Sequence, residues 1–286
     1  MSSLTTVPAA DIAPADFSWI REFVRRESAI TIDEGKEYLV VSRLTPVAAA
    51  HGIGDIGQLV ERVRSRPSGQ LSRDVIDALT INETSFFRDI HPFQSLVTDV
   101  LPELMRTNAA SRRLRIWCAA ASSGQEPYSV AMAIREHLPT LLGWDLEILA
   151  TDISRAVLAR AAHGEYSQLD VNRGLPAPML VKYFDRQGAR WRISEEVRRM
   201  VRFEHTNLIG PWAAQPGTDL VLLRNVLIYF DDETKQDILR RMRQTLAPGG
   251  YLSLGGAETT VGAPTDYDRV TLGRSVWFRS VRRPSL

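Results

Sequence analysis

From about residue 112 onward, short apolar runs alternate with amphipathic segments, and no other feature limits the possible folds so strongly. The runs are "LRIWCAA", "LEILATD", "DLVLLRN" and "YLSLGG". Helical segments such as "EPYSVAMAIREHL", "ISRAVLARAAHG" and "DETKQDILRRMRQTL" separate them. This order implies an α/β domain, a parallel sheet with helices on both faces. Ligands in such sheets bind beyond the carboxyl ends of the strands, so every strand end is a candidate site.

Before this region the rhythm is purely helical. "PADFSWIREFVRRESAI" repeats Phe17, Ile20, Phe23 and Val24 at three- and four-residue spacing, with Asp16 placed to cap. Further helices are expected through "EGKEYLVVSRL", "DIGQLVERVRS" and "SRDVIDALTI", punctuated by Gly52, Gly54, Pro67 and Gly69. The expected organisation is a helical domain over 1–90, a linker over 91–111, and the α/β domain over 112–286. Residues 164–202 break the alternation with a hairpin-like piece around "YFDRQGARWRI" and read as an insertion.

The first strand ends in "CAAASSGQEP". Its small residues admit a ligand close to the backbone, Gly124 permits an unusual turn, and Pro127 suits a first helical turn. A helix N-terminus ordinarily attracts anions, yet Glu126 brings a carboxylate there. A cationic ligand reconciles the two, and S-adenosylmethionine carries both a sulfonium and an ammonium. Glu126 also has a plain alternative, since acids favour helix N-termini without any ligand. The second strand ends at Asp152, 28 residues after Gly124, where an acid suits ribose hydroxyls or caps the next helix. "VRFEHTNLIG" brings Asn207 and Leu208 to a further strand end, with an amide for an adenine edge and an apolar face. Arg224 and Asn225 follow "LVLL", and Tyr229 comes four residues later. Ahead of the sheet, "INETSFFRDIHPF" sets Asn82, Thr84 and Arg88 around Phe86 and Phe87, as a lid or as simple helix caps.

The composition narrows the class. The chain has 286 residues, 44% of them hydrophobic, with a formal net charge of +1. No basic excess argues for nucleic acid, and no apolar run approaches the roughly 18 residues of a membrane span. The lone Cys118 excludes an internal disulfide or a cysteine-built zinc site. A cytoplasmic protein without a secretory signal, a metal or direct membrane insertion is expected. No coiled-coil heptads are visible, and a monomer is the expectation.

The motifs "NETSFFRD", "AAASSGQEPYSVA", "ATDIS", "TNL" and "LLRNVLIYFD", in this order, make the chain resemble the chemotaxis receptor methyltransferases of the CheR type over nearly its whole length. The resemblance implies an N-terminal all-helical domain and a class I, Rossmann-like methyltransferase domain carrying a small inserted antiparallel β-subdomain. It implies S-adenosylmethionine as methyl donor and glutamate side chains on the cytoplasmic methylation helices of chemoreceptors as acceptors. Its cofactor positions fall on Asn82, Thr84, Arg88, Glu126, Asp152, Asn207, Leu208, Arg224 and Asn225. Tyr229 falls near the transferring methyl group, and Arg88 is a candidate for orienting a carboxylate.

Three departures qualify the resemblance. Family members that recognise receptors often carry a basic helix in the N-terminal domain. Here residues 1–90 hold 10 Lys or Arg against 13 Asp or Glu. Lys36 and Arg43 are the local candidates for receptor contact, sharing a face before Pro46 interrupts the helix. The insertion's loop is the compact "FDRQGARWRI", so recognition independent of a receptor's C-terminal pentapeptide tether is expected. "GGAETT" replaces a more usual histidine–serine pair, so Glu258 is left out of the expected site. A non-catalytic S-adenosylmethionine-binding regulator is the main rival, with a carboxyl methyltransferase for another protein or a small molecule beside it. A nucleic-acid methyltransferase lacks its Asn/Asp-Pro-Pro-aromatic motif at "RNVLIYF".

Overall fold

The computed structural model describes residues 12–212, 216–259 and 267–281. Contacts divide the chain into two compact units, Met1–Ile81 and Asn82–Leu286.

The first unit holds helices α1 (Pro14–Ser28), α2 (Glu37–Ala50), α3 (Ile56–Ser65) and α4 (Gln70–Leu79). Its core takes Phe17, Ile20 and Val24 from α1, Val40 and Leu44 from α2, Leu59 and Val63 from α3, and Val75 and Leu79 from α4. Asp55 caps α3 by accepting the Gln58 N–H at 2.8 Å. Two details differ from expectation. Helix α1 begins at Pro14, so Asp16 sits inside the first turn, where it pairs with Arg64. Pro46 does not stop α2, which runs on to Ala50. Leu44 and Ala48 are buried on either side of the proline, and that packing offsets the one backbone hydrogen bond a proline cannot make.

The second unit opens with α5 (His91–Ser95), a π-helical turn (Leu96–Val100) and α6 (Leu101–Thr107). Pro102 cannot donate to a carbonyl one turn back, and the widened turn falls just before it. There follow β1 (Arg113–Ala119), α7 (Gln125–His137), β2 (Asp145–Asp152) and α8 (Arg155–His163). The insertion supplies β3 (Glu165–Ser167), α9 (Gln168–Asn172), α10 (Ala177–Tyr183), β4 (Phe184–Gln187), β5 (Arg190–Ile193) and α11 (Glu195–Arg198). The chain closes with β6 (Val201–His205), β7 (Thr218–Leu223), α12 (Asp232–Thr245), β8 (Leu246–Leu254), β9 (Tyr267–Leu272) and β10 (Ser275–Ser280).

Seven of these strands form one sheet in the order β6-β2-β1-β7-β8-β10-β9. The first five are parallel, with Ile116 opposite Ile148 on one side and Leu220 on the other. All six residues of β7 are buried, as a central strand covered on both faces requires. The sheet is mixed rather than wholly parallel, because β10 runs antiparallel to both β8 and β9. Lying beyond the last helix–strand alternation, this hairpin left no mark in the pattern. A second sheet, β3-β5-β4, is antiparallel, and its β4–β5 turn carries Gly188 at φ 60°.

The expected linker over 91–111 is instead structured. Phe93, Leu96, Val100, Leu101 and Leu104 recur at helical spacing and lie in the core of the α/β unit. Phe86 and Phe87 join the same core, so the division falls at Ile81/Asn82 and not at residue 90. Among the described residues no helix is long and apolar enough to cross a membrane.

Candidate active site

The turn after β1 is built from strained backbone. Ala120, Ser122 and Gly124 adopt φ of 62°, 49° and 91°, a left-handed region that residues with a Cβ rarely occupy. Three partners hold it there. The Ser122 N–H donates to Asp152 Oδ2 at 2.8 Å, tying β1 to the end of β2. The Ser122 hydroxyl donates to the Asn82 carbonyl at 2.9 Å. Tyr166 of the small sheet donates its hydroxyl to the Ser123 carbonyl at 2.9 Å. A Cβ on Gly124 would lie 3.0 Å from Ala161 Cβ and 3.2 Å from the Tyr166 hydroxyl, so only glycine fits.

Glu126 follows in the first turn of α7, its side chain 12% exposed. Oε2 accepts from Arg224 Nη1 at 2.9 Å, while Oε1 takes no hydrogen bond from the described residues. Burial pushes the Glu126 carboxyl above its ordinary value, with Arg224 opposing the shift and Arg88 adding to the opposition. One oxygen is thus fixed to a buried cation and the other is open at the strained turn.

Arg224 is the hub. Its side chain is 1% exposed, and Nη2 donates to the Arg88 carbonyl at 2.9 Å and to Asp89 Oδ2 at 2.8 Å. Nε is buried without a partner among the described residues, and the guanidinium lies 5.6 Å from the Phe93 ring centroid. The end of β7, the start of α7 and the "NETSFFRD" loop therefore meet at one cation. Arg224 lies beneath the surface, and its hydrogen bonds go to Glu126, Arg88 and Asp89.

The loop itself is strained at Phe87, Asp89 and Ile90, with φ of 47°, 66° and 33°. Phe86 anchors it by edge contacts with Tyr166 and Phe184, at 5.0 and 5.5 Å, and the Phe87 N–H donates to Ser129 Oγ at 2.9 Å. Asn82, Thr84 and Arg88 are half-buried along it, and Arg88 Nη1 turns back to the Glu83 carbonyl at 3.1 Å.

Asp152 is buried and accepts the Ser154 N–H through Oδ1 at 2.9 Å, besides that of Ser122. Asn207 forms the turn after β6, its Oδ1 accepting the Ile209 N–H at 3.2 Å, and Leu208 is buried. Arg241 of α12 fixes this loop by donating to the carbonyls of Leu208 and Gly210, at 2.9 and 2.6 Å. Its guanidinium lies 4.1 Å from the Trp212 ring centroid, and Trp212 meets Trp117 edge-on.

Sequence reasoning missed Glu258. Its buried Oε2 accepts from the N–H groups of Asn225 and Gly255, each at 2.7 Å, and Oε1 accepts from Ile228 N at 3.3 Å. Asn225 is left-handed at φ 58°, so this carboxylate holds a strained residue in place. An acid three residues past a Gly-Gly strand end was the available signal. Tyr229 closes the adjoining short helical turn, Leu227–Tyr229, half-buried.

The site residues of the α/β unit thus gather along one row of strand ends. Lys36 and Arg43 belong to the helical unit. Lys36 is the residue before α2, 6.0 Å from the Tyr38 ring centroid. Arg43 Nη1 donates to the carbonyls of Leu79 and Thr80, at 3.3 and 2.9 Å, and so caps α4 from the side.

A sheet in this strand order, with a small-residue turn after β1 and an acid after β2, is a Rossmann-like frame, and the family match makes it an S-adenosylmethionine-dependent methyltransferase domain. Residues 82–276 match the family model described as CheR methyltransferase, SAM binding domain, and residues 15–80 match CheR methyltransferase, all-alpha domain. The chain belongs to the CheR methyltransferase family. It is 44% identical to the chemotaxis protein methyltransferase 1 of Pseudomonas aeruginosa, over 94% of this chain and 98% of that one. It is 42% identical to the chemotaxis protein methyltransferase Cher2 of Pseudomonas putida, over 93% and 98%. Identity to the Vibrio parahaemolyticus chemotaxis protein methyltransferase is 36%, over 96% and 99%.

Proposed function

We propose that this enzyme methylates glutamate side-chain carboxylates on the cytoplasmic methylation helices of chemoreceptors, giving glutamyl methyl esters and S-adenosylhomocysteine. The observation that carries the donor side is Glu126, a buried carboxylate with one oxygen held by Arg224 and one open at a glycine-cradled turn. Such a group suits a cationic amino-acid moiety and opposes a pyrophosphate. The acceptor side rests on the family and on relatives named chemotaxis protein methyltransferases.

Bound S-adenosylmethionine supplies an electrophilic methyl group on a sulfonium. Glu126 would hold the ammonium, Asp152 would accept from the ribose hydroxyls, and Asn207 and Leu208 would take the adenine. Asn82, Thr84 and Arg88 would cover the ligand from the 82–90 loop. Arg224 orients Glu126, and Asn225 and Tyr229 shape the transfer end. A glutamate acceptor is already ionised at neutral pH, so these residues need only position it for in-line attack and strip part of its water. The β4–β5 turn spans only Gly188 and Ala189, which supports recognition without a C-terminal pentapeptide tether. The enzyme acts in the cytoplasm as a monomer and without a metal.

Transfer of tritiated methyl from S-adenosylmethionine to receptor fragments, followed by alkaline release of methanol, tests this reading. Base-labile label on the fragment is expected. Its absence on every receptor tried overturns the assignment.

A further inference from the structure

A cavity of about 520 Å³ opens past the carboxyl end of β8. One wall is the loop after β8, including Gly255 and Glu258, and a second comes from Asp89 and His91. The β9–β10 hairpin contributes Arg269 and Arg274. Asp89 is bonded to Arg224 and Glu258 to Asn225, so the cavity adjoins the end of β7. In the sheet order it lies on the β8–β10 side of β7, whereas the turn holding Glu126 and Asp152 lies on the β1–β2 side.

The charge balance of these walls is uneven. Asp89 shares the single Arg224 guanidinium with Glu126, and Glu258 is a carboxylate whose oxygens are occupied by three backbone N–H groups, so both inner-wall acids have their hydrogen-bonding atoms turned to partners within the protein. Arg269 and Arg274 are exposed and have neither an ion pair nor a side-chain hydrogen bond among the described residues. Arg279, farther along the same hairpin, is paired with Glu103. Arg274 is held in a two-residue turn with Gly273 at φ 57°, between the paired Leu272 and Ser275. A tight hairpin with packed residues in β10 thus presents, at the mouth of a cavity beside the end of β7, two guanidinium groups that have no ion pair among the described residues.

We propose that this cavity receives the methyl acceptor as part of an acidic peptide segment. Arg269 and Arg274 take carboxylates flanking the one that enters. The inference rests on the carboxyl methyltransferase reading and adds the surface where the acceptor docks. Charge at such a rim steers encounter and fixes orientation, and guanidinium groups match carboxylates with paired hydrogen bonds.

The test uses the full chain with the Arg269→Glu/Arg274→Glu double substitution. Binding of a fluorescent receptor methylation-helix fragment is measured by anisotropy in S-adenosylhomocysteine, alongside cofactor calorimetry and a melting curve. The double variant is expected to bind the fragment about 10-fold or more weakly, and to lose much of the salt dependence of binding. Its cofactor affinity and melting temperature should match the parent. Fragment binding unchanged in a folded double variant overturns the inference, whether or not methyl is transferred. Binding that is lost in the variant, with no base-labile label from the parent enzyme, upholds the docking surface and overturns the ester reading instead.

Discussion

Arg224 Nη1 lies 2.9 Å from Glu126 Oε2, joining a cation that is 1% exposed to a carboxylate that is 12% exposed. A pair this deep carries a desolvation cost that its attraction only partly offsets, but removing one partner is worse than never having built it. Arg224→Gln strands Glu126 as a buried negative charge, leaves the exposed Asp89 without its partner and frees the 82–90 loop. The expected loss is about 3–5 kcal/mol of unfolding free energy, read as a lower urea midpoint with the slope unchanged. S-adenosylmethionine binding should weaken in the fraction that still folds. Unchanged stability would show that Arg224 is not the hub.

Glu126 gives a pH signature. Burial raises its carboxyl above the ordinary 4.5, so it takes up a proton at higher pH than an exposed glutamate does. A cationic ligand needs the ionised form. S-adenosylmethionine affinity should therefore fall as pH drops through the raised value, and the Glu126→Gln enzyme should bind weakly with this pH dependence removed. The folding linkage has the opposite sense. With the folded value raised, this residue's contribution to stability is complete below about 4.5 and is lost as pH rises through the raised value. Calorimetric titrations across pH 5 to 8 check the binding slope, and equal slopes for the two proteins would remove Glu126 from the ligand.

Much of this arrangement was legible because strand ends in an α/β sheet are few and their polar residues conspicuous. Glu126, Asp152, Asn207 and Arg224 could be set at the mouth from apolar runs alone. The direction of a side chain could not be read that way. Arg224 points into the protein because acceptors from Glu126, Arg88 and Asp89 converge on it, and Arg43 curls onto α4 to reach the adjacent carbonyls of Leu79 and Thr80. Arg241 and Glu258 went unseen because each satisfies backbone groups of another loop, and backbone demand leaves no residue pattern. The 91–111 helices carry apolar residues at helical spacing, but Pro92 and Pro102 interrupt the pattern and give it the look of a linker.

Arg43 offers a direct choice between recognition and structure. It donates to two carbonyls at the end of α4, where the helix leaves acceptors without partners. Arg43→Ala should cost about 1–3 kcal/mol, as expected for losing hydrogen bonds from a charged donor. Thermal unfolding reads the cost, and the KM for a receptor fragment should stay within about twofold of the parent below the transition, since an exposed contact contributes little. A raised KM at unchanged stability would return Arg43 to the receptor surface.

Glu258 separates positioning from cofactor binding. Alanine there leaves the Asn225, Gly255 and Ile228 N–H groups unsatisfied and releases Asn225 from its left-handed conformation. The β1 and β2 turns that hold Glu126 and Asp152 lie on the other side of β7 and keep their own bonds. Glu258→Ala should lower kcat by about 10- to 100-fold, the scale of a displacement near 1 Å at the reacting end. Cofactor affinity by calorimetry should hold within about twofold. Glutamine can keep its oxygen toward the Asn225 and Gly255 N–H groups, but its amide NH2 then faces the Ile228 N–H, donor against donor. Glu258→Gln should therefore fall between alanine and the parent in kcat. A parallel loss of cofactor binding and turnover, or a glutamine variant no better than alanine, would mean that Glu258 braces the whole sheet end and not the transfer geometry alone.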